Sequence, residues 1–553
     1  MITESTDRLA QFVESLAFDQ VPPLVVTRTK EVLYDGTGAL LSATASRYNM
    51  GVLVHRFVGE TGGVPECQVF GTPLRTNCET ASLVNGAFAY HSDSEANHPG
   101  AIMHAIAVVG PAALAVGESR RSSGRDVLTA IVVGIDVACR VSIALNPAEL
   151  YARGFHPTSV AGAFGAMAAA SRLYGLTGKA LRNAFGLAGL QASGLLAWVD
   201  DPTEHSRPFN VGFASRNGVL AAKLASCGVG GPPAIFGQKY PFGRAFSGQW
   251  NEEALFKGLG EHFMVMDLCF KPYACCAFTH PGLDGLLDIQ KSEGVLAADI
   301  KKIILRFPAA GYKVIDNNAL RSHCAQYVLA LAATRGYVDF YDVLHDQRED
   351  PQMRSLSSRI EVVGDDDLDR TYPKFYRSVV EVTTHGGHHY SRDIKHPRGS
   401  PENPMSRAEL QDKFCALTKD VLTDSQAKAI SAAIDDIENL DEISFLTRNF
   451  FRFSLLPIIS RPKGAFNNRL RNGRCGNISA GSGKSVLVHR SAPIGVVGLR
   501  QIGNCPRVRP GPRTHFGTDR PESAQNLRAV PKRGNGIGAD VKLYSRSGNP
   551  RRN

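Results

Sequence analysis

Hydrophobic positions recur at helical spacing through the first half of the chain. In residues 6–18, Leu9, Phe12, Val13 and Leu16 fall 3.6 residues apart on average, which predicts an amphipathic helix that Pro22-Pro23 closes. Residues 23–43 repeat the pattern with Asp35 inside it. Thr80 to Ala89 reads as a helix, and the almost wholly apolar stretch Ala101 to Val116 as a buried segment. Ser122–Leu145 predicts a long helix with Asp136 as its one internal acid. Residues 157–174, crowded with Gly and Ala, predict a central helix that others approach closely; residues 178–198 and 211–226 continue the helical pattern. No stretch of the first 265 residues alternates like a strand, so this part is expected to be all α.

The pattern changes near residue 265. Ile300–Phe307, Ser358–Val363 and Ser378–Thr384 read as strands, with Gly386-Gly387 turning the last of them into His388–Ile394. Asn317–Thr334 reads as a helix between them. Helical spacing returns in Ser406–Leu422, which opens on the capping box Ser406-Arg-Ala-Glu409, and in Asp424–Ile437. The expected architecture is mainly α: a large, discontinuous helical domain (1–265 and 404–449) carrying a smaller α+β lid (266–403). Residues 450–553, rich in Arg, Gly, Asn, Pro and Ser, read as a basic low-order tail. Its Gly481-Ser-Gly-Lys-Ser485 lacks the first Gly of a phosphate loop, that position being Ile478, and no strand-to-helix context surrounds it.

Composition sharpens this division. The net charge of +10 is uneven: 20 of the 62 Lys and Arg but only 3 of the 52 Asp and Glu lie from Phe450 onward, which leaves the body at −7. Nucleic-acid binding is therefore an expectation for the tail alone, and a weak one, because few aromatic residues interleave its charges. The eleven cysteines are odd in number and hold no C-x-x-C pair, which suits reduced thiols in the cytoplasm. The N-terminus has no basic-then-apolar leader, and the apolar run Ala105–Gly117 is too short to cross a bilayer, so no membrane partner is expected.

Between two apolar segments lies a polar one. Residues 91–104 hold His91, His98, His104, Asp93, Glu95 and Asn97. Buried polar groups must find partners, so such a cluster marks a candidate site. Four other segments add reactive groups: His156 ahead of a Pro-started helix, Arg207 just before another helix, Lys271, Cys275, Cys276 and His280 near the lid's start, and Tyr312 after its first strand. Each has a plainer alternative. His156 suits a cap, Arg207 a salt bridge, and the cysteine pair buried apolar packing. The cluster's His, Asp and Glu are also metal-ligand types, but their spacing matches no zinc pattern, and no Gly-rich dinucleotide fingerprint follows a strand. The set of imidazoles, one Lys, one Arg and a carboxylate suits a substrate with several carboxylates: cations hold the charge while a His or Asp moves a proton beside a carboxylate. Elimination, decarboxylation or epimerisation without a cofactor is the expected chemistry.

Over residues 5 to about 449 the sequence resembles the MmgE/PrpD family. The resemblance rests on Asn85-Gly-Ala-Phe-Ala-Tyr-His-Ser-Asp93, Gly154-Phe-His156-Pro-Thr, Arg207-Pro-Phe-Asn-Val-Gly-Phe-Ala-Ser-Arg-Asn-Gly218, and Lys271-Pro-Tyr-Ala-Cys-Cys with Thr279-His280. It implies a homodimer, an active site between the helical domain and the lid, no metal, and a 2-methylcitrate dehydratase-like or cis-aconitate decarboxylase-like lyase. An epimerase in the same fold and a catalytically impaired member are the alternatives. The resemblance puts Asp93, His104, His156, Lys271 and Tyr312 on catalytic positions, with Asn97, Arg207 and Cys276 binding substrate. Some positions depart from the family: Glu95-Ala96-Asn97 stands for an Asp-Asp-Thr run, Arg207 for a Lys, Asn210 for a His, and Cys276 for the His of animal decarboxylases.

Overall fold

A computed structural model describes residues 4–237 and 239–450; the tail from 451 lies outside the described residues. The chain opens with α1 (Glu4–Ser15), α2 (Pro23–Ser42) and α3 (Met50–Thr61). A two-stranded hairpin, β1 (Cys67–Gln68) and β2 (Arg75–Thr76), leads into α4 (Cys78–His91). There follow α5 (Ala105–Arg120), α6 (Gly124–Ala144) and α7 (Pro147–Ala152). The helical half ends with α8 (Pro157–Leu173), α9 (Gly178–Gln191), α10 (Ser206–Ser226) and α11 (Phe242–Phe246).

Small residues set how closely the central helices approach. A Cβ on Gly165 of α8 would lie 2.6 Å from the carbonyl oxygen of Gly134 on α6, and one on Gly212 of α10 would lie 2.3 Å from that of Leu83 on α4. Only glycine permits backbones this close. The resulting core buries nearly all of α5 and α8, so neither has a polar face. Helix α6 is apolar and long enough to cross a bilayer, yet 94% of its most apolar window is buried inside the protein. Its Asp136 pairs with Arg140 at 2.9 Å, both fully buried.

Several boundaries differ from expectation. Helix α1 stops at Ser15, short of the residue 18 that spacing predicted, while α2 begins at Pro23 as the pattern over 23–43 predicts, because proline's missing N–H costs nothing in a first turn. Helix α9 stops at Gln191, ahead of Gly194 at φ +143°. Helix α10 begins at Ser206, so Arg207 sits in its first turn rather than ahead of it. The hairpin of β1 and β2 adds a small sheet to a half expected to be all α.

The second half contains α12 (His280–Glu293), β3 (Ile300–Pro308), α13 (Ala325–Arg335), α14 (Phe340–Leu344) and α15 (Pro351–Ser357). Strands β4 (Ile360–Asp365), β5 (Ser378–Thr384) and β6 (His389–Ile394) complete a four-stranded sheet in the order β4-β3-β5-β6. Strand β3 runs parallel to β4, with Ile303 opposite Ile360, and antiparallel to β5, with Leu305 opposite Val380. Its buried positions face α12, whose Gly282 and Gly285 lie against Leu305 and Val380. The helix expected over 317–334 begins only at Ala325. Asn317 takes a positive φ of 48°, and the Asn318 side chain accepts the Leu320 N–H at 2.9 Å, which makes a turn where the helix was expected.

The chain then returns to the helical half through α16 (Arg407–Thr418), α17 (Asp424–Asp435) and α18 (Ser444–Thr447). Phe414 of α16 stacks on Tyr34 of α2 at 4.3 Å, and Phe450 packs edge-on against Phe70 at 4.9 Å. Phe450 thus belongs to the core, not to the tail. The expected capping box is present: the Glu409 N–H donates to Ser406 Oγ at 3.3 Å, and the Ser406 N–H to Glu409 Oε2 at 2.7 Å. Ser406→Ala is expected to cost about 1 kcal/mol in urea denaturation.

Candidate active site

Helices α4 and α5 bracket the polar stretch, which forms a buried loop from Ser92 to Met103. Two features fix it. Asp93 and Ile102 take left-handed backbone, with φ of 51° and 46°. Asn97 exchanges backbone hydrogen bonds with Cys269, at 2.9 and 2.7 Å. That second contact delivers Lys271, whose Nζ donates to Asp93 Oδ1 at 2.5 Å and to the Asp93 carbonyl at 3.0 Å. A further support comes from elements distant in sequence: Asp35 of α2 accepts the Ala96 N–H at 2.9 Å, and Lys413 of α16 donates to both Asp35 and the Ser94 carbonyl.

Arg207 lies behind the loop. Its Nε donates to Glu204 at 3.0 Å and Nη2 to the His91 carbonyl at 2.8 Å, while Nη1 stands 4.0 Å from Asp93 Oδ1 without a hydrogen-bond partner. Glu204 in turn accepts from Ser322 Oγ at 3.0 Å, and Ser322 Oγ lies 2.9 Å from His323 Nδ1. One hydroxyl proton is given to Glu204, so His323 Nδ1 carries the proton and donates.

A cavity of about 220 Å³ opens in front of this network. Asp93, Asn97, His104 and Cys276 line it, with Tyr90, Trp198 and His323. From the lid side, Lys313, Val314 and Tyr376 close it. The remaining expected residues fall elsewhere. Lys271 and Arg207, fully buried, do not line the cavity; they stand behind Asp93 and are spent on protein carboxylates and carbonyls. His156 caps α8, bonds Ser159 Oγ through Nδ1 at 3.0 Å, and packs against Trp198 at 5.4 Å. Tyr312 does not line the cavity: its ring packs over Gly364 of β4, and the next two residues reach in instead.

Electrostatics separate the two acids. Burial alone would raise the Asp93 carboxyl, but Lys271 first and then Arg207 outweigh it and hold Asp93 ionised, well below the usual range. Glu95 goes the other way. Its complete burial and the neighbouring Asp93 charge, opposed by Lys271, raise it to about 7. His104 touches it, Nδ1 to Oε1 at 2.7 Å, though without good hydrogen-bond alignment. Burial and then Lys271 push His104 well below the ordinary imidazole value. Below pH 7 this pair is therefore a carboxylic acid against a neutral imidazole rather than a salt bridge, and it carries one mobile proton. Burial also lowers His323, to about 4, against the pull of Asp93. His104 and His156 sit at the N-termini of α5 and α8, whose free N–H groups favour anions nearby.

Asp93, Glu95 and His104 offer donor atoms within 4.8 Å of one another, a set that a metal ion can use. The Lys271 ammonium already neutralises Asp93 there, so a metal has to displace a buried cation. Glu95 was legible only as the second of the cluster's two acids. His323 was hidden inside a stretch that read as helix, and nothing in its spacing marked it.

Models of the MmgE/PrpD N-terminal domain and the MmgE/PrpD C-terminal domain match residues 7–254 and 273–439. Human cis-aconitate decarboxylase is 26% identical over 499 residues, which cover 87% of this chain and 100% of that protein. The cis-aconitate decarboxylase of Aspergillus terreus is 23% identical over 470 residues, 79% of this chain and 94% of the relative. A mitochondrial 2-methylcitrate dehydratase from Yarrowia lipolytica is 24% identical over 302 residues, 50% and 56% of the two chains.

Proposed function

This chain belongs to the MmgE/PrpD family, and on that premise we propose that it is a cofactor-independent lyase that decarboxylates a polycarboxylic acid of the cis-aconitate kind. The observation that carries the reading is the Glu95–His104 pair: a proton donor buried on one side, an imidazole facing the cavity on the other. Decarboxylation breaks a C–C bond, carbon dioxide leaves, and the electron pair stays on carbon. His104 Nε2–H supplies the proton that this carbon takes up, while Glu95 re-protonates the imidazole through Nδ1. Glu95 ends as a carboxylate and regains its proton from solvent.

Ionised Asp93 is a poor general base because two cations stabilise its charge. Its role is to fix the loop and to keep Lys271 and Arg207 as a buried positive background for an anionic substrate. Asn97, Cys276 and His323 line the cavity as substrate contacts, and Tyr90 and Trp198 wall it. Metal independence belongs to the proposal and is supported by the Lys271 ammonium at Asp93. The proposal extends to a homodimer in the cytoplasm, in keeping with nine free cysteines among the described residues.

Proton NMR in heavy water tests the reading. With cis-aconitate, the expected product has lost one carboxyl and gained one deuterium on carbon, while 2-methylcitrate, citrate and an aminodicarboxylate stay unchanged. Loss of water from 2-methylcitrate replaces this reading by a dehydratase. Exchange of an α-proton without net loss replaces it by an epimerase.

A further inference from the structure

Neither Lys271 nor Arg207 lines the catalytic cavity, so a bound polycarboxylate has to find its donors elsewhere. Among the described residues that do line it, Lys313 is the one Lys or Arg. It sits in the turn after β3, on the lid side. From the helical half comes Tyr90, in the last turn of α4. We propose that the Tyr90 hydroxyl and the Lys313 ammonium hold the carboxylates that stay on the substrate while a third one leaves. The substrate class rests on the function proposed above; the two contacts rest on the following observations.

Tyr90 is 2% exposed and lines the cavity, yet its hydroxyl makes no hydrogen bond among the described residues. Buried polar groups in native proteins are almost always satisfied, and the cavity is where this one can be. The ring is held on two sides. The Arg207 guanidinium lies over it, 4.7 Å from the centroid, and the His104 ring meets it edge-on at 4.8 Å. Burial and then the Asp93 charge raise the hydroxyl well above the ordinary phenol value, so it keeps its proton. A protonated phenol donates, and a carboxylate only accepts. The donor thus stands beside the imidazole to which the proton transfer is assigned, where a substrate has to lie.

Lys313 supplies the charge that Tyr90 lacks. It is exposed, and among the described residues no carboxylate lies within 4.0 Å of its ammonium. A point charge on a flexible stem can follow a carboxylate at the cavity's lid side. Much of the remaining wall is apolar, with Ile102, Leu196, Val199 and Phe278, and offers a carboxylate nothing. Pockets of this kind orient a ligand through a few polar groups, and a ligand held by both of these joins the helical half to the lid.

The test is calorimetric titration of propane-1,2,3-tricarboxylate, which carries the carboxylates of cis-aconitate without its double bond. It is titrated into the full-length chain and into Tyr90→Phe, Lys313→Gln and Lys313→Arg. Tyr90→Phe and Lys313→Gln are each expected to weaken binding about tenfold, as loss of a hydrogen bond to a charged group does, while Lys313→Arg binds like the wild type. With cis-aconitate, kcat/KM should fall by the same factor, the loss lying in KM rather than kcat. Tyr90→Phe should keep the wild-type urea midpoint, because its hydroxyl has no protein partner to lose. Wild-type affinity in either Tyr90→Phe or Lys313→Gln overturns the proposal, as does a tricarboxylate that the wild type fails to bind. A lowered urea midpoint in Tyr90→Phe also overturns it, since the hydroxyl would then be bonded within the protein. If cis-aconitate is not turned over but tricarboxylate binding depends on both residues, the function proposed above fails and these contacts stand. If both variants turn it over with the wild-type KM, that function stands and these contacts fail.

Discussion

Replacing Glu95 by Gln is expected to lower turnover by roughly two to four orders of magnitude, the usual contribution of a positioned acid–base group. Gln fills nearly the same volume and keeps a polar contact with His104 Nδ1, so the fold survives while the proton supply is lost. His104→Ala is expected to fall about as far, and the double variant little further, because the two act as one unit. The pH profile gives a sharper check. Glu95 is raised from its ordinary value to about 7, so it is protonated below pH 7 and ionised above. When it is protonated, His104 presents Nε2–H to the cavity. When it is ionised, it holds the proton on Nδ1 and leaves Nε2 as a base. A decarboxylase needs the first form, so kcat should fall as pH rises through about 7, and Glu95→Gln should remove that limb. A rate that instead rises through 7 in the wild type would mean the pair removes a proton, as a dehydratase requires.

Lys271→Met is expected to cost about 3–5 kcal/mol of stability and to abolish activity, because it leaves the Asp93 carboxylate buried with only Arg207, at 4.0 Å, to oppose its charge. The wild-type pair depresses the Asp93 pKa, so its stabilisation is present above the unfolded aspartate value and is lost as pH falls below it. Without Lys271, burial, the largest single influence on Asp93, is expected to outweigh Arg207 and to raise Asp93 above its unfolded value. The sign then reverses: the variant binds a proton on folding and loses stability as pH rises. Urea titrations should therefore find a smaller penalty at pH 5 than at pH 8. Asp93→Asn in the same chain should recover much of the loss without recovering activity. An equal penalty at both pH values, or no gain from Asp93→Asn, would remove the ion pair as the source of the cost.

Much of this was legible from residue order alone. The 3.6-residue spacing and the small residues of 157–174 dictate a helical core, since only closely approaching backbones bury such segments; the alternation in Ser378–Thr384 dictates a half-buried strand. The capping box at Ser406 is a local arrangement and was readable for that reason. The clustering of acids and imidazoles between two apolar segments likewise marked the loop from 91 to 104 as the place where chemistry concentrates.

What the sequence left open depends on distances that chain order does not encode. Lys271 and Arg207 read as a clamp for substrate, and the fold turned both toward Asp93 instead. Tyr312 and its neighbour Lys313 differ by one position, yet the turn after β3 lays the first on Gly364 and brings the second to the cavity. His323 reached the site only because Asn317 and Asn318 broke a helix that spacing predicted. Above all, nothing local distinguishes Asp93 from Glu95. One lies 2.5 Å from a buried ammonium and stays ionised, while the other, two residues on and equally buried, lies against an imidazole and keeps its proton to about pH 7. Residue order determined which groups this protein has for its chemistry; burial and the neighbours that tertiary packing supplied decided which of them holds charge and which can give up a proton.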